Sequence, residues 1–259
     1  MVELLVFSKR GIQMRTILTF GFIFLYLLFG YIPLGIFWLY GKLINQEKAD
    51  LIQLRMIQGV FKILHVLAGI KVTVIGEENV PTDEPVLYVA NHRSMVDIVI
   101  TYARCPRLTG FVAKDVVNKV PALRAWMKRL HCEFLNRNDV KEGLKIILSC
   151  IEKVNRGISI FIFPEGTRNK NKENPTDIGE FKDGSFKIAS KTGCKIVPVA
   201  ITGTNKIFED HFPTIKGANV ILQYGKPVTF KELDKEDQKH IGSYFQTQIQ
   251  QMLIEHQKL

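Results

Sequence analysis

The length of 259 residues limits the chain to one compact domain with an appendage, or to two small domains. Apolar residues make up 46% and charged residues 23%, a balance that excludes a disordered or collagen-like chain. Lysine and arginine outnumber aspartate and glutamate by 35 to 25, and the net charge of +10 favours anionic partners: nucleic acid, acidic lipid or phosphorylated substrates.

The first predicted element is an apolar run, residues 16–41, that contains no charged residue. As one straight helix it would be about 39 Å long, enough to cross a hydrocarbon core of about 30 Å. Gly30, Pro33 and Gly35 interrupt this run. Because proline removes a helical hydrogen bond, a break is predicted near residues 30–34, and each half is then too short to span a membrane alone.

A second helix is predicted over residues 49–69, with Ile57 and Leu64 on an apolar face and Gln58 on the opposite, polar face. We interpret the first 70 residues as a membrane-embedded helical hairpin that enters one leaflet and leaves on the cytoplasmic side. A single spanning helix is the close alternative. A cleaved signal peptide is disfavoured, because the apolar run is too long and lacks a small-residue cleavage site.

From residue 71 onwards, short β-branched runs alternate with helical patterns. This alternation is typical of an α/β fold with a mixed, largely parallel sheet flanked by helices. The predicted domains are therefore a membrane-anchoring helical segment, 1–70, and an α/β domain, 71–259. Strands are predicted at 71–75, 86–90, 109–113, 133–136, 158–163, 196–202 and 219–224.

Two helical patterns stand out in the α/β domain. Residues 140–155 follow Asp139, a good N-cap, and precede Gly157. Residues 236–257 repeat apolar side chains at helical spacing. The four cysteines form no CxxC pair, so we predict buried core residues in a reducing, cytosolic setting and neither disulfides nor a zinc cluster: Cys105, Cys132, Cys150 and Cys194.

The segment NHRSMVD, residues 91–97, directly follows a predicted strand. A histidine there lies at the carboxyl edge of the sheet, where α/β folds place their sites. His92 and Asp97 do not share a face of a regular helix, so they meet only if His92 lies in the turn and Asp97 in the next helix's first turn. The carboxylate would then fix the imidazole tautomer. Alternatively, Asn91 or Ser94 caps a helix and His92 is incidental.

The segment FPEGTR, residues 163–168, follows the most hydrophobic strand of the α/β domain. Pro164 and Gly166 predict a tight turn that presents Glu165 and Arg168 at a strand exit. The guanidinium is suited to bind two phosphate oxygens, and the carboxylate can orient it or a substrate hydroxyl. A surface turn with a local Glu–Arg pair is the alternative.

Two further basic residues follow predicted strands. Lys114 comes after strand 109–113, and Arg137 comes after the short strand 133–136. Either side chain can add positive charge for a phosphate group, and either can be an ordinary solvated surface residue.

Together these segments resemble the glycerolipid acyltransferase family, specifically the 1-acyl-glycerol-3-phosphate acyltransferases. The resemblance covers about residues 70–205. The second block departs from the family pattern, because Asn136 stands where the family often has an acidic residue. The family's blocks occur in order as NHRSMVD, FLNR (134–137), FPEGTR and VPVA (197–200), with VAK (112–114) where the family carries a lysine.

The resemblance implies transfer of a fatty acyl group from acyl-CoA or acyl-ACP to the sn-2 hydroxyl of 1-acyl-glycerol-3-phosphate, giving phosphatidic acid. It implies His92 as general base held by Asp97, with no acyl-enzyme, metal or bound cofactor. The expected partners are membrane lipids, lysophosphatidate and the acyl carrier. The residues expected to bind the acceptor are Lys114, Arg137, Glu165, Gly166, Thr167 and Arg168.

Other functions fit parts of the sequence. The acceptor can be another lysophospholipid, and a non-enzymatic binder of anionic lipid would explain the charge and the apolar N-terminus. A metal-dependent phosphatase is a third alternative. Nucleic-acid binding is disfavoured, because the uncharged run predicts membrane residence and no recognition motif is present. The expected location is the membrane, with the active site facing the cytoplasm.

Overall fold

The computed structural model describes residues 2–136, 139–171 and 174–259, with side chains throughout except at residues 2–8 and 140. Helices and strands alternate after three N-terminal helices, as the sequence predicts. The elements are α1 (Val2–Phe29), α2 (Tyr31–Leu43), α3 (Gln46–Ala68), β1 (Lys71–Ile75), β2 (Val86–Ala90), α4 (Val96–Tyr102), β3 (Thr109–Lys114), α5 (Pro121–Arg129), β4 (Glu133–Leu135), α6 (Val140–Asn155), β5 (Ser159–Ile162), α7 (Lys187–Thr192), β6 (Lys195–Thr202), β7 (Asn219–Tyr224), α8 (Lys235–Lys239) and α9 (Ile241–His256).

In the described residues, seven strands form one sheet in the order β1-β7-β6-β2-β5-β3-β4. Strand β2 pairs in parallel with β5 and β6, and β3 pairs in parallel with β5 and β4. Strand β7 runs antiparallel to β6. The predicted mixed, largely parallel sheet is therefore confirmed, and each predicted strand is present with ends shifted by at most one residue.

The chain forms two compact units, and the larger one combines residues 74–93, 105–202 and 221–259. Its hydrophobic core lies between the sheet and helices α6, α7 and α9, where Phe186 and Phe245 stack with ring centroids 5.3 Å apart. The predicted helix over 236–257 is interrupted at His240, which has non-helical dihedral angles and separates α8 from α9. The four cysteines are free and buried, as predicted.

The smaller unit combines the N-terminal residues to Thr73 with residues 94–104 and 203–220. The predicted break in the apolar run is confirmed, because α1 ends at Phe29 and α2 begins at Tyr31. Pro33 is tolerated as the third residue of α2, where a backbone N–H has no helical partner. Large apolar side chains of both helices are exposed: Met14, Ile17, Leu18, Phe20, Phe24, Leu25, Leu28, Phe29, Tyr31, Ile32, Ile36, Trp38, Leu39 and Leu43.

Helix α3 reverses part of the predicted amphipathic pattern. The expectation that Gln58 lies on a polar, outward face is wrong: the side chain is buried and donates to the Tyr102 carbonyl over 3.1 Å. Asp50 and Gln53 are buried on the same helix. A buried amide is stable only when it is hydrogen-bonded, so the long-range partner explains the burial of Gln58. The exposed large apolar residues of α3 are Leu51, Ile52, Ile63 and Val66.

By length and composition, Lys9–Phe29 and Gln46–Ala68 are both able to cross a membrane. The expectation that each half of the apolar run is too short to span alone is therefore wrong for the first half, because α1 begins well before residue 16. Mostly buried core helices and signal sequences meet the same criterion, so it does not decide how either helix is placed. The membrane hairpin and the division of the chain at residue 70 therefore stay predictions.

A buried histidine joins the end of α9 to the sheet and makes stability dependent on pH. His256 Nδ1 lies 2.8 Å from Thr202 Oγ1, and Nε2 lies 2.8 Å from Gln223 Oε1. Burial lowers the pKa of His256 below its usual value of about 6.5. As the pH falls, the unfolded chain therefore binds a proton at this imidazole before the folded chain does. The stability that the neutral imidazole contributes is lost as the pH falls below about 6.5 and through the pKa of the folded state.

We expect His256→Gln to be less stable than the wild type at pH 7.5, with a gap that narrows at pH 5.5. Urea unfolding at both pH values measures the two gaps. Gln257→Ala is the control, because Gln257 is the exposed neighbour of His256 and carries no titratable group, so its gap should not change with pH. A gap for His256→Gln that stays constant between the two pH values contradicts the buried neutral imidazole.

Candidate active site

The carboxyl ends of β2 and β5 lie side by side at one edge of the sheet. The strands are parallel neighbours. Val89, one residue before the end of β2, pairs with Ile162, the last residue of β5. The chain leaves β2 towards His92 and leaves β5 towards Glu165, so the two predicted motifs emerge together. Binding sites of parallel α/β sheets lie at this edge.

The FPEGTR segment forms the predicted tight turn. The Gly166 N–H donates to the Phe163 carbonyl over 3.0 Å, which closes a four-residue turn with Pro164 at its second position. Gly166 has φ +72, in the left-handed region that favours glycine. A Cβ at Gly166 would lie 3.3 Å from Lys182 Nζ, so the missing side chain also makes room for an ammonium group.

Glu165 points inward and binds backbone rather than solvent. Its Oε1 accepts the His92 N–H over 2.7 Å, and its Oε2 accepts the Gly179 N–H over 2.8 Å. The side chain is 7% exposed, and burial raises the pKa of this carboxyl, although both N–H donors and nearby His92 and Arg93 oppose that rise. The predicted role of Glu165, orienting Arg168 or a substrate hydroxyl, stays a prediction. The bond to the His92 N–H shows in addition that this carboxylate fixes the backbone of His92.

His92 is held on three sides within the larger unit. Besides the Glu165 bond at its N–H, its carbonyl accepts the Asn169 N–H over 2.8 Å. Its ring stacks on Phe163 with centroids 4.1 Å apart and planes at 20°. The imidazole is 9% exposed. The backbone and the ring plane of the proposed base are therefore fixed by residues of the FPEGTR strand exit.

Asp97 lies in the first turn of α4, and His92 lies in the non-helical segment before that helix, as the spacing predicts. Within the smaller unit, Asp97 Oδ2 accepts the Ser94 N–H over 2.9 Å, and Oδ1 accepts the Thr204 hydroxyl over 2.5 Å. The carboxylate is fully buried. The meeting of this carboxylate with the His92 imidazole stays a prediction.

The predicted substrate-binding residues differ in their exposure to solvent. Arg168 is half-buried just past the turn, whereas Thr167 and Lys114 are exposed. Lys114 is the last residue of β3, next to β5 in the sheet. Arg137 lies outside the described residues. Substrate binding by these side chains stays a prediction.

Sequence reasoning missed Lys182 as a site residue. Its backbone N–H donates to the Pro164 carbonyl over 3.2 Å, and its ammonium group lies against Gly166. The available signal was the FKDG segment at 181–184, which brings a lysine back towards the FPEGTR turn.

Asn91 and Arg93 have structural partners rather than helix-capping roles. Asn91 exchanges two hydrogen bonds with the backbone of Ile201, at 2.9 and 2.8 Å, and so joins the exit of β2 to β6. Arg93 Nη2 donates to the carbonyls of Asn174 and Asp177 at 2.8 and 3.1 Å. These bonds hold the polar segment that follows the FPEGTR turn. The Ser94 hydroxyl accepts the Val96 N–H over 2.9 Å, at the start of α4.

A metal site is not evident in the part of the chain that the structure describes, where no group of three or more His, Cys, Asp or Glu side chains is arranged to hold an ion. The arrangement instead offers an imidazole at a strand exit, a buried carboxylate close by in sequence, and cationic side chains around a glycine turn. These groups suit proton transfer and the binding of an anionic group.

Comparison with known proteins identifies the family of this chain. The model of the Acyltransferase family matches residues 71–202. A crystal structure of PlsC, the 1-acyl-sn-glycerophosphate (LPA) acyltransferase of Thermotoga maritima, superposes with a TM-score of 0.79 at 25% identity and covers 95% of this chain and 97% of that one. The similarity thus extends well beyond the matched segment.

Two curated relatives carry the same type of name. A 1-acyl-sn-glycerol-3-phosphate acyltransferase of Borreliella burgdorferi is 32% identical over 197 residues, covering 75% of this chain and 76% of that protein. A chloroplastic one of Arabidopsis thaliana is 35% identical over 156 residues, covering 60% of this chain, and the match spans only 41% of that protein. The chain belongs to the 1-acyl-sn-glycerol-3-phosphate acyltransferase family.

Proposed function

We propose that this protein transfers a fatty acyl group from an acyl thioester to the sn-2 hydroxyl of 1-acyl-glycerol-3-phosphate, giving phosphatidic acid. The names of its relatives at 32–35% identity specify the acceptor. The thioester is that of acyl-CoA or of acyl carrier protein. The reaction takes place at a membrane, with the site on the cytoplasmic side.

The observation that carries the proposal is the placement of His92. A histidine fixed through its N–H, its carbonyl and its ring face at the exit of a buried parallel strand presents a defined ring edge. A general base needs this kind of fixed geometry more than it needs flexibility. A protein that only binds anionic lipid would not require it.

The proposed chemistry is direct transfer in a ternary complex. One imidazole nitrogen of His92 accepts the proton of the acceptor hydroxyl while that oxygen bonds to the thioester carbonyl carbon. The tetrahedral intermediate then collapses, the carbon–sulfur bond breaks, and the imidazolium returns the proton to the leaving thiolate. Asp97 stabilises the imidazolium form and fixes the tautomer. The developing oxyanion needs N–H donors, for which the backbone of residues 164–167 is the candidate.

The phosphate of the acceptor is proposed to bind beside the FPEGTR turn. Arg168 supplies a planar pair of donors, and the Lys182 ammonium lies against Gly166 in the same turn. Lys114, Arg137 and Thr167 are further candidates for acceptor binding. Glu165 contributes indirectly, because its carboxylate fixes the backbone from which His92 projects.

The exposed apolar side chains of α1 and α2 support membrane association. Soluble proteins rarely expose so many large apolar residues in one segment, and burying each in lipid is favourable by about 1.5–3 kcal/mol relative to water. Embedding these helices would let a lysophospholipid present its hydroxyl without leaving the bilayer completely. The one-leaflet hairpin and the single spanning helix both satisfy this requirement.

The first experiment measures acyl transfer by the purified protein in phospholipid vesicles, with one labelled acyl-CoA and a panel of lysophospholipid acceptors. We expect turnover of lysophosphatidate, and a loss of about 10²–10⁴-fold in kcat for His92→Ala, which is the usual contribution of a general base. His240→Ala is the matched control, because that histidine is exposed. Turnover should survive a chelator.

The outcomes separate the alternatives. Preference for another lysophospholipid would change the acceptor but keep the reaction class. Absence of transfer from both acyl-CoA and acyl carrier protein, with vesicle binding intact, would favour a lipid-binding protein. Full activity in His92→Ala would eliminate the proposed base.

We expect Arg168→Ala and Lys182→Ala each to raise the KM for lysophosphatidate by about 10- to 100-fold, the effect of losing one hydrogen bond to a charged group. The KM for the acyl donor should change much less. Lys170→Ala is the control, since Lys170 is exposed two residues past Arg168. Steady-state kinetics with each substrate varied in turn makes the comparison, and equal effects on both substrates would contradict the phosphate role.

Thiol reagents should leave the native enzyme active. Burial raises the pKa of Cys105 and Cys150 to about 12 and of Cys132 to about 11, and it also raises the pKa of Cys194. Because the thiolate is the reactive form, almost none is present near pH 7. We expect N-ethylmaleimide to modify the cysteines only after the protein is unfolded. Mass spectrometry measures the modification, and the activity is assayed in parallel. Time-dependent loss of native activity would instead indicate a cysteine in the reaction.

A further inference from the structure

Both oxygens of the Asp97 carboxylate are occupied by donors from within the smaller unit. Oδ2 accepts the Ser94 N–H, and Oδ1 accepts the Thr204 hydroxyl over 2.5 Å. Asp97 is fully buried and Thr204 is 1% exposed. A carboxylate held at both oxygens cannot rotate about its own axis without breaking a hydrogen bond in a buried environment.

A second carboxylate binds the residues just before Asp97. Glu209 Oε2 accepts the Ser94 hydroxyl over 2.6 Å, and Oε1 accepts the Met95 N–H over 2.8 Å. The Ser94 hydroxyl in turn accepts the Val96 N–H over 2.9 Å. The Met95 side chain makes no capping hydrogen bond at the start of α4, and Glu209 and Ser94 instead accept the N–H groups of Met95 and Val96.

Thr204 and Glu209 belong to one short segment, residues 203–211, that follows β6. Gly203 has φ +92, and a Cβ there would lie 2.4 Å from the Asn219 carbonyl oxygen, so only glycine allows the chain to turn at this point. Two short 3₁₀ turns follow, Thr204–Lys206 and Glu209–His211. The turn at Gly203 thus delivers both side chains to the start of α4.

We propose that Thr204 and Glu209 are positioning residues for acyl transfer: Thr204 orients the Asp97 carboxylate, and Glu209 fixes the segment from which it projects. The inference rests on the proposed function. A carboxylate has about four acceptor sites, so the bonds from Ser94 and Thr204 do not by themselves prevent it from accepting an imidazole N–H as well. Neither residue is assigned to touch the substrate, so their loss should affect the rate of transfer and not the binding of either substrate.

The test measures kcat and both KM values for Thr204→Val and Thr204→Ser in the full-length protein. Valine keeps the shape and removes the donor. We expect a fall in kcat of about 10- to 100-fold, the effect of losing one hydrogen bond to a charged group, with both KM values within about twofold of the wild type. Serine should restore most of the rate, because it restores the hydroxyl.

The matched control is Thr101→Val. Thr101 is fully buried in α4 and donates to the main-chain carbonyl of Asp97 over 2.8 Å, but not to its carboxylate. If packing near α4 alone mattered, Thr101→Val and Thr204→Val would lower kcat alike, and that result would overturn the inference. We expect the control to keep kcat within about twofold of the wild type.

A double variant shows whether Thr204 acts through Asp97. Asp97→Ala with Thr204→Val should be no slower than Asp97→Ala alone, because the hydroxyl has no acceptor on residue 97 once the carboxylate is removed. Multiplied losses would overturn the inference.

If Thr204→Val does not fold, Glu209→Gln provides a second test. In this variant an NH2 group replaces one of the two oxygens that accept the Ser94 hydroxyl and the Met95 N–H. Its expected result is likewise lower kcat with unchanged KM.

Asp210→Asn is the control for Glu209→Gln, because Asp210 accepts from Asn205 in the same segment. Wild-type kcat in a folded Thr204→Val, or in Glu209→Gln, overturns the inference and leaves the proposed function intact if His92→Ala is inactive. A wild type that does not transfer acyl groups removes the proposed function, and the inference falls with it.

Discussion

The parallel pairing of β2 with β5 is the constraint on which the site depends. Because neighbouring parallel strands end at the same edge, two segments that are 73 residues apart in the chain meet, and Glu165 joins them through the His92 N–H. A buried carboxylate without partners would cost several kcal/mol, so the position is stable only while both oxygens accept donors. The geometry of the strand exits and the protonation of Glu165 are therefore linked.

The chain between β2 and α4 has no regular structure, yet three of its N–H groups are bound by side chains. The N–H groups of His92 and Ser94 are bound by Glu165 and Asp97, and that of Met95 is bound by Glu209. Backbone donors that are removed from water need such partners, and for these three N–H groups each partner is a carboxylate. Charge-assisted bonds to backbone are short and strong, so they specify the path of this segment more tightly than water would.

Local pattern predicted the fold well because the relevant forces act locally. The Asp139 cap accepts the N–H groups of Lys141 and Glu142, as expected of a helix start, and the strands follow β-branched runs. The tight turn at Gly166 was likewise predicted from its own residues. The errors concern side chains whose partners lie far away in sequence. Gln58 appears polar and outward until Tyr102, 44 residues later, supplies a carbonyl.

The site residues show the same division. The two strand-exit motifs were predicted, because each carries its chemistry within a few residues. The contribution of Glu209 to Ser94 was not predictable, because no local pattern links residues 115 positions apart. The backbone contacts of Glu165 were not predictable for the same reason. Its sequence neighbour Arg168 suggested an ion pair, whereas the N–H groups that it accepts belong to His92 and Gly179, 73 and 14 positions away.

The smaller unit links the apolar helix α1 to the segment that holds Asp97. The ring of Phe20 packs edge-on against Phe208 at 5.8 Å, and the Thr16 hydroxyl accepts the Ile215 N–H over 2.9 Å. Phe208 directly precedes Glu209. Phe20 itself is partly exposed, on the helix that is proposed to contact lipid. Close-packed side chains transmit strain to their neighbours. Insertion of α1 into a bilayer would therefore act on the same segment that orients the carboxylate. The helix that is proposed to contact lipid and the segment that holds Asp97 thus share one set of contacts.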